Sequence, residues 1–389
     1  MKSFVLPLMI MLLPLLSNAQ TVLSYNDADG AVRSLVFNPG DFNSKYYRIP
    51  AVVTLPDGTL VAVADKRIES LGDLPGVIDV VARRSTDGGR TWGPYITVVA
   101  HDADGGYGDP ALVYDRKTGD LLVICTHGNG LWQKTPGQIT VIRSSDGGLT
   151  WGKPVSINDQ ILTSDPSEKG KILANSAFAS SGRALQTRSG RILFSLVTRQ
   201  EGVDKFPVYA IYSDDSGRTW KASRTPATLD GDESKIVELP DGRLLMSIRN
   251  RWSGNRRVSL STDKGRTWTE APDFNLHDVA CNGDILSVNY GGQNYLIQSL
   301  PAGPWRDNIT LYASADGGKT WPYSYRVSNC PGAYSTMTLL PDNPLSSAQP
   351  HLVVLTEEAV HDAGPRHAGG YRIFSTNLPL SQLLPSELK

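Results

Sequence analysis

One eight-residue pattern, Ser-x-Asp-x-Gly-x-Thr-Trp, occurs five times and restricts the fold more than any other feature of the chain. The copies run from Ser85 to Trp92, Ser144 to Trp151, Ser213 to Trp220, Ser261 to Trp268 and Ser314 to Trp321. Their tryptophans are 59, 69, 48 and 53 residues apart, the length of one four-stranded β-meander with variable loops. Within each box the Asp side chain accepts hydrogen bonds from turn amides and Gly supplies a positive φ. Thr and Trp then restart a strand, with Trp as the packing anchor. Each box follows an alternating strand, such as Ile139 to Arg143, and so reads as a hairpin turn.

A second turn precedes each box at a nearly regular interval. These turns are Pro56-Asp57-Gly58, Thr118-Gly119-Asp120, Ser189-Gly190, Pro240-Asp241-Gly242 and Gly291-Gly292. Two hairpins make about four strands per repeat. A sixth unit without a full box follows, with Leu340-Pro341-Asp342, an apolar strand His351 to Leu355 and a closing strand Gly370 to Ser375. The expected fold is all-β, a six-bladed β-propeller of four-stranded antiparallel blades, with a strand from residues 20–45 closing the ring. No helical periodicity of useful length occurs, and Pro379 to Pro385 suits a short helical turn. The boxes recur at equivalent positions, whereas one active site needs residues that differ between blades. They read as structural.

The first 19 residues read as a secretory signal: Lys2, an apolar run from Phe4 to Leu16, then Ser17-Asn18-Ala19 before Gln20. Residues 20–389 are then one mature domain, secreted or periplasmic, with no membrane span. The three cysteines, Cys125, Cys281 and Cys330, are too few and odd in number for a disulfide framework, and no C-x-x-C or H-E-x-x-H metal spacing occurs. A net charge of −1 argues against a nucleic-acid partner. No metal or other cofactor is required, and a monomer is expected.

The stretch Tyr46-Tyr47-Arg48-Ile49-Pro50 puts one arginine at the mouth of the apolar strand Ala51 to Leu55. A buried guanidinium needs an anionic partner. Arg48 is either one half of a structural ion pair or a fixed fork for a carboxylate or phosphate ligand.

Five boxes together with Tyr47-Arg48-Ile49-Pro50 resemble the bacterial sialidases (exo-α-neuraminidases), across essentially the whole mature chain. The resemblance implies a catalytic propeller that holds the substrate carboxylate with three arginines. Arg48 matches the first, Arg249 after Leu244-Leu-Met-Ser-Ile248 the second, and Arg306 in Pro304-Trp-Arg-Asp-Asn308 the third. Glu357, in Leu355-Thr-Glu-Glu358, resembles the carboxylate that steadies the first arginine, with Glu358 beside it as the competing choice. Asp73, in Leu71-Gly-Asp-Leu-Pro75, matches the general acid. Desolvation and the substrate carboxylate would raise its pKa toward neutrality. Arg67 and Asp109, the latter in Gly108-Asp-Pro110, resemble the pair that contacts the sugar 4-hydroxyl.

Most retaining glycosidases use a carboxylate nucleophile; it is the resemblance that supplies a tyrosine instead. The physical reason is charge. The anomeric carbon of a sialic acid carries its own carboxylate, and a second anion 4 Å away is repelled by roughly 4 kcal/mol at an effective dielectric near 20. A neutral phenol activated by a base avoids that repulsion. Tyr334, in Gly332-Ala-Tyr-Ser-Thr336, matches the tyrosine, and Glu233, in Asp232-Glu-Ser-Lys235, matches its base, with Glu238 the competing glutamate. Trp132 in a Gly-rich loop suits either a sugar platform or a loop anchor, and Ala179 to Arg183 resembles a cleft-lining loop. The expected partners are sialylated glycoproteins, glycolipids or oligosaccharides. The alternatives are a trans-sialidase and a non-catalytic sialic-acid-binding propeller. Asp73, Glu233 and Tyr334 weigh against the latter, since binding alone needs no acid, base and nucleophile.

Overall fold

The structure, a computed structural model, describes residues 25–26, 30–133, 135–340, 350–360 and 369–385. The secretory segment expected over residues 1–19 and the turn residues Pro341 and Asp342 lie outside the described residues. The chain is all-β with a β-propeller arrangement; among the described residues helix is confined to Asn158–Ile161 and short 3-10 turns, one of them Leu380–Gln382. Among the described residues no helix is long and apolar enough to cross a membrane.

Successive strands pair antiparallel in meanders. The first contains Tyr46–Thr54, Leu60–Arg67, Ile78–Ser85 and Ile96–Val99; the second contains Tyr107–Tyr114, Leu121–His127, Gln138–Ser144 and Val155–Ser156. Later meanders are built around Ile192–Arg199, Leu244–Ile248, Gln293–Pro301 and His351–Ala359. The N-terminal strand Val32–Phe37 pairs with Tyr371–Pro379 near the other end of the chain. A single residue pair, Tyr47 with Tyr371, continues that sheet into the first meander and makes nine strands in all.

The first strands of the meanders face one another around the axis. Thr54 Oγ1 lies 3.0 Å from Thr338 Oγ1, and Thr336 Oγ1 donates to Asp284 Oδ2 at 3.2 Å. One meander departs from four regular strands. Its inner edge is split into Ser176–Ala179 and Leu185–Gln186, and between them Gly182–Arg183 pairs parallel with Tyr107–Tyr114 of the neighbouring meander. Gly182 has φ +94°, a backbone conformation that favours glycine. The excursion carries Ser181 to the axis.

The core lies between adjacent meanders. Val61 and Val63 of the first pack with Val123 and Cys125 of the second, and Leu122 and Ile124 pack with Ile192 and Phe194 of the next. Strands covered on both faces are near-continuous apolar runs, as in Leu60–Ala64 and Leu121–Cys125. The boxes close the hairpins between the last two strands of a meander, as between Ile78–Ser85 and Ile96–Val99. Trp92, Trp220 and Trp268 are buried, and the Trp220 ring meets Phe194 edge-on with centroids 5.5 Å apart.

The box hydrogen bonds are the ones the pattern predicts. Asp146 Oδ1 accepts from Ser144 Oγ at 2.8 Å, Leu149 N at 3.0 Å and Thr150 N at 2.9 Å, and Thr150 Oγ1 donates to Oδ2. Gly148, at φ +87°, lies between its own meander and the preceding one, where an added Cβ would stand 3.2 Å from Leu121 Cδ1 and 3.3 Å from Val61 Cγ1. The Thr150 hydroxyl and amide bonds hold the Asp146 carboxyl down to about 2. A carboxyl depressed on folding stabilises fully above its unfolded value of 3.8, and that contribution fades as pH falls toward 2. Asp146→Ala is therefore expected to lower the urea midpoint at neutral pH by the equivalent of about 1 kcal/mol, as for a lost helix cap. The difference from wild type should shrink between pH 4 and 2, and a pH-independent difference would contradict this account.

Candidate active site

Arg48 sits where the first strand breaks register: it pairs with Asp65, and regular pairing resumes only at Ala51 with Val63. The intervening Ile49 has φ +58°, a strained conformation for a β-branched residue. Glu357 holds this kink. Its Oε1 accepts from Ile49 N at 2.6 Å and Arg48 Nε at 3.1 Å; its Oε2 accepts from Arg48 Nη2 at 2.9 Å and Tyr334 N at 3.1 Å. Tyr334 occupies a matching irregularity between Gly332 and Ser335 on the facing strand. One buried carboxylate thus ties together Arg48, the kink and Tyr334. Glu358 points the other way, to Arg33 and Thr356, as strand alternation requires. Glu238, the competing glutamate near Glu233, is instead paired with Arg188.

The three arginines surround Tyr334. The Cζ atoms of Arg48 and Arg306 lie 4.9 and 5.9 Å from the Tyr334 ring centroid, and Arg249 Nη1 donates to its hydroxyl at 3.1 Å. Arg306 Nη2 also donates to the Ala280 carbonyl at 2.7 Å. Arg249 Nη1 donates in addition to Glu233 Oε2, and Nη2 lies 3.5 Å from Asp232 Oδ2. Glu357, Glu233 and Asp232 thus offset the cost of gathering three cations. The Tyr334 hydroxyl donates to Glu233 Oε2 at 2.7 Å. Burial and the Glu233 carboxylate push the phenol well above its usual range, against the pull of the three arginines. It is a neutral phenol at physiological pH, and only a base can activate it.

Arg67 is buried and forked onto Asp65 Oδ2 through Nε at 3.2 Å and Nη2 at 3.0 Å. The same Nη2 reaches Asp73 Oδ1 at 2.8 Å. Asp109, with φ +58°, donates its backbone N–H to Asp65 Oδ1 at 3.1 Å. Burial, with Asp65, Asp73 and Glu233, pushes the Asp109 carboxyl well up. Burial likewise pushes Asp65 up to about 7 despite Arg67. Of the two effects expected to raise the Asp73 carboxyl, desolvation acts here. What burial it has would raise its carboxyl, but Arg67, Arg48 and Arg249 outweigh that and hold it below the usual carboxylate range. Its side chain is 76% exposed yet stands in the field of all three cations.

The expected site residues Arg48, Arg67, Asp73, Asp109, Glu233, Arg249, Arg306, Tyr334 and Glu357 form one connected set. Trp132 lies apart from these contacts: it is exposed, edge-on to Phe206 at 5.3 Å, with Arg199 Cζ 5.2 Å from its ring. Sequence reasoning missed Asp65 and Asn282, and it placed Ser181 only within the cleft-lining stretch Ala179 to Arg183, which Ser181 joins to the site through Glu233. Asp65 had a signal, an acid two residues before Arg67 on an apolar strand and so on the same face.

Residues 51–346 match the family model described as a BNR repeat-like domain. A sialidase of Micromonospora viridifaciens is 34% identical over 330 residues, which cover 76% of this chain and 48% of that protein. A sialidase of Bacteroides fragilis is 33% identical over 334 residues, covering 79% of this chain and 59% of that protein. This chain therefore spans roughly half the length of these curated relatives. Among solved structures, the Hadza microbial sialidase Hz136 superposes with a TM-score of 0.79 at 30% identity, covering 90% of this chain and 69% of that one. With its repeats, its three arginines around one tyrosine and these relatives, the chain belongs to the bacterial sialidase family.

Proposed function

We propose that this protein is an exo-α-sialidase that releases terminal α-linked sialic acid from sialylated glycoproteins, glycolipids or oligosaccharides with retention of configuration. The observation that carries the reading is Tyr334 donating to Glu233 at 2.7 Å beneath three arginines. Arg48, Arg249 and Arg306 receive the substrate carboxylate. Asp73 gives its proton to the leaving oxygen as the glycosidic bond breaks. Tyr334 attacks the anomeric carbon while its proton passes to Glu233 Oε2. Arg249, which donates to both oxygens, stabilises the charge as it moves. Water then attacks the glycosyl–tyrosine, losing its proton to Asp73, and Glu233 returns a proton to the phenolate. Asp73 needs a proton at the start, and the substrate carboxylate supplies the condition: it neutralises cations that otherwise depress Asp73.

The propeller is read as six blades, the nine-stranded sheet being two of them joined at Tyr47 and Tyr371. Residues 1–19 are taken as the secretory signal.

The test is turnover of an aryl α-sialoside with the product anomer followed by NMR, which should show the α-anomer first. A 2,3-difluoro sialic acid should label Tyr334, located by mass spectrometry of a peptic digest. The β-anomer first, or label on Asp73 or Glu233, would overturn the mechanism. Asp73→Asn should lower kcat/KM for a sialyl-lactose by roughly a hundredfold or more, yet spare kcat/KM for the aryl sialoside, which reports the first half of the reaction and whose leaving group needs no proton. Equal loss on both substrates would remove Asp73 from the acid role.

A further inference from the structure

Behind Glu233, on the side away from Tyr334, lies a buried column of polar groups. Lys235 lies two residues on, in the strand Ser234–Glu238 that Glu233 leads into. It is 1% exposed, and its Nζ donates to Asn282 Oδ1 at 2.8 Å. The Asn282 Nδ2 donates to Ser181 Oγ at 2.9 Å and stands 3.5 Å from Glu233 Oε1. Ser181 Oγ in turn donates to Glu233 Oε1 at 3.3 Å. Ser181 and Asn282 are both buried. The backbone is shaped around the lysine: a Cβ on Gly182 would stand 2.7 Å from Lys235 Cε.

We infer that Lys235, Asn282 and Ser181 position the base: they saturate Glu233 Oε1 with donors, so that the proton of Tyr334 is taken up and returned at Oε2. The inference rests on the sialidase reading above. Its chemistry follows from the direction of each bond. An ammonium only donates, so it fixes the Asn282 amide with its oxygen toward Lys235 and its NH2 toward Ser181 and Glu233. Ser181 accepts from that NH2 and turns its own hydrogen to Glu233. Oε1 therefore faces donors alone. Oε2 also meets donors, Arg249 and Tyr334, but the Tyr334 hydroxyl is the one that gives its proton up, so Oε2 is the atom that gains it. In the second half of the reaction the same polarity returns the proton to the phenolate.

The column has its own pH limit. Burial pulls Lys235 down to about 8, aided by Arg256 and Arg183 and opposed by Asp284 and Glu233. Once Lys235 is neutral it can accept as well as donate, and the amide orientation is no longer enforced. Removing the charge also makes Glu233 a stronger proton acceptor, which moves the acid limb of activity upward.

The experiment compares the wild type with Lys235→Met, which keeps volume and removes the charge. With an aryl α-sialoside, kcat should fall roughly 10- to 100-fold, a usual cost of losing a partner behind a reacting group. KM and the Kd of 2-deoxy-2,3-didehydro sialic acid should hold, because the arginines are untouched. The acid limb of kcat/KM should rise by about one pH unit. Ser181→Ala removes one donor with little volume, should shift the limb the same way, and carries the test if Lys235→Met does not fold. The Glu233 carboxylate infrared band, identified against Glu233→Gln, should titrate higher in both variants. An active wild type whose acid limb and infrared band are unmoved in the variants overturns the column alone. A wild type that releases no sialic acid overturns the sialidase reading, and the infrared titration still decides the column.

Discussion

Tyr334→Phe is expected to lower kcat on every sialoside by roughly a thousandfold or more, while sialic-acid analogues still bind. The substitution removes the oxygen proposed to attack and nothing else of consequence. The ring stays, so the faces that Arg48 and Arg306 approach at 4.9 and 5.9 Å are kept. Arg249 loses one of its acceptors but keeps Glu233 and Asp232. The backbone N–H of residue 334 still donates to Glu357. Affinity for 2-deoxy-2,3-didehydro sialic acid, measured by calorimetry, should therefore stay within about threefold, the scale of a modest cation–π change. Loss of binding in step with loss of turnover would mean that Tyr334 serves the clamp. Near-normal turnover would end the tyrosyl mechanism, whatever the enzyme's substrate.

What the sequence made legible follows from how local each feature is. A box is complete within eight residues, and its hydrogen bonds run from Asp to amides three and four positions on, so its geometry could be read directly. Arg48, Arg249, Arg306, Glu233 and Tyr334 each stand in a single-copy context, and all meet around one phenol. The choice between Glu357 and Glu358 is not local. The two differ only in which face of the strand they take, and the partners that reveal the face, Arg48 and Arg33, are more than 300 residues away. Ser181, Lys235 and Asn282 belong to three segments that no sequence pattern links. The arginine field that outweighs desolvation at Asp73 was only partly legible. Arg67, close by in the sequence, acts most strongly, and Arg48 and Arg249, the latter just past the strand Leu244–Ile248, add to the field from further away in the chain.

Glu357→Gln should be the most damaging single change to the folded site, although it alters one atom. Oε1 takes Arg48 Nε and Ile49 N; Oε2 takes Arg48 Nη2 and Tyr334 N. An amide can present an acceptor to only one of these pairs. In either orientation its NH2 group faces two donors, one of them on Arg48. Burial leaves Glu357 no solvent to turn toward. Breaking a buried ion pair on one side costs about 3–5 kcal/mol, because the remaining charge is left uncompensated. With the NH2 on the Oε1 side, Ile49, at φ +58°, loses the bond that holds its strained backbone and the kink that aims Arg48 relaxes; with it on the Oε2 side, the Tyr334 amide loses its acceptor instead. Urea unfolding should show the stability loss, and kcat/KM should fall by more than the unfolded fraction explains, since clamp and Tyr334 move together. Glu358→Gln is the control one residue away. It weakens a pair whose Arg33 partner is 19% exposed and should cost only about 1–2 kcal/mol, with kcat/KM preserved. Equal penalties for the two substitutions would show that the hub is an ordinary strand ion pair. A larger loss of activity for Glu358→Gln would move the arginine support to the neighbouring carboxylate.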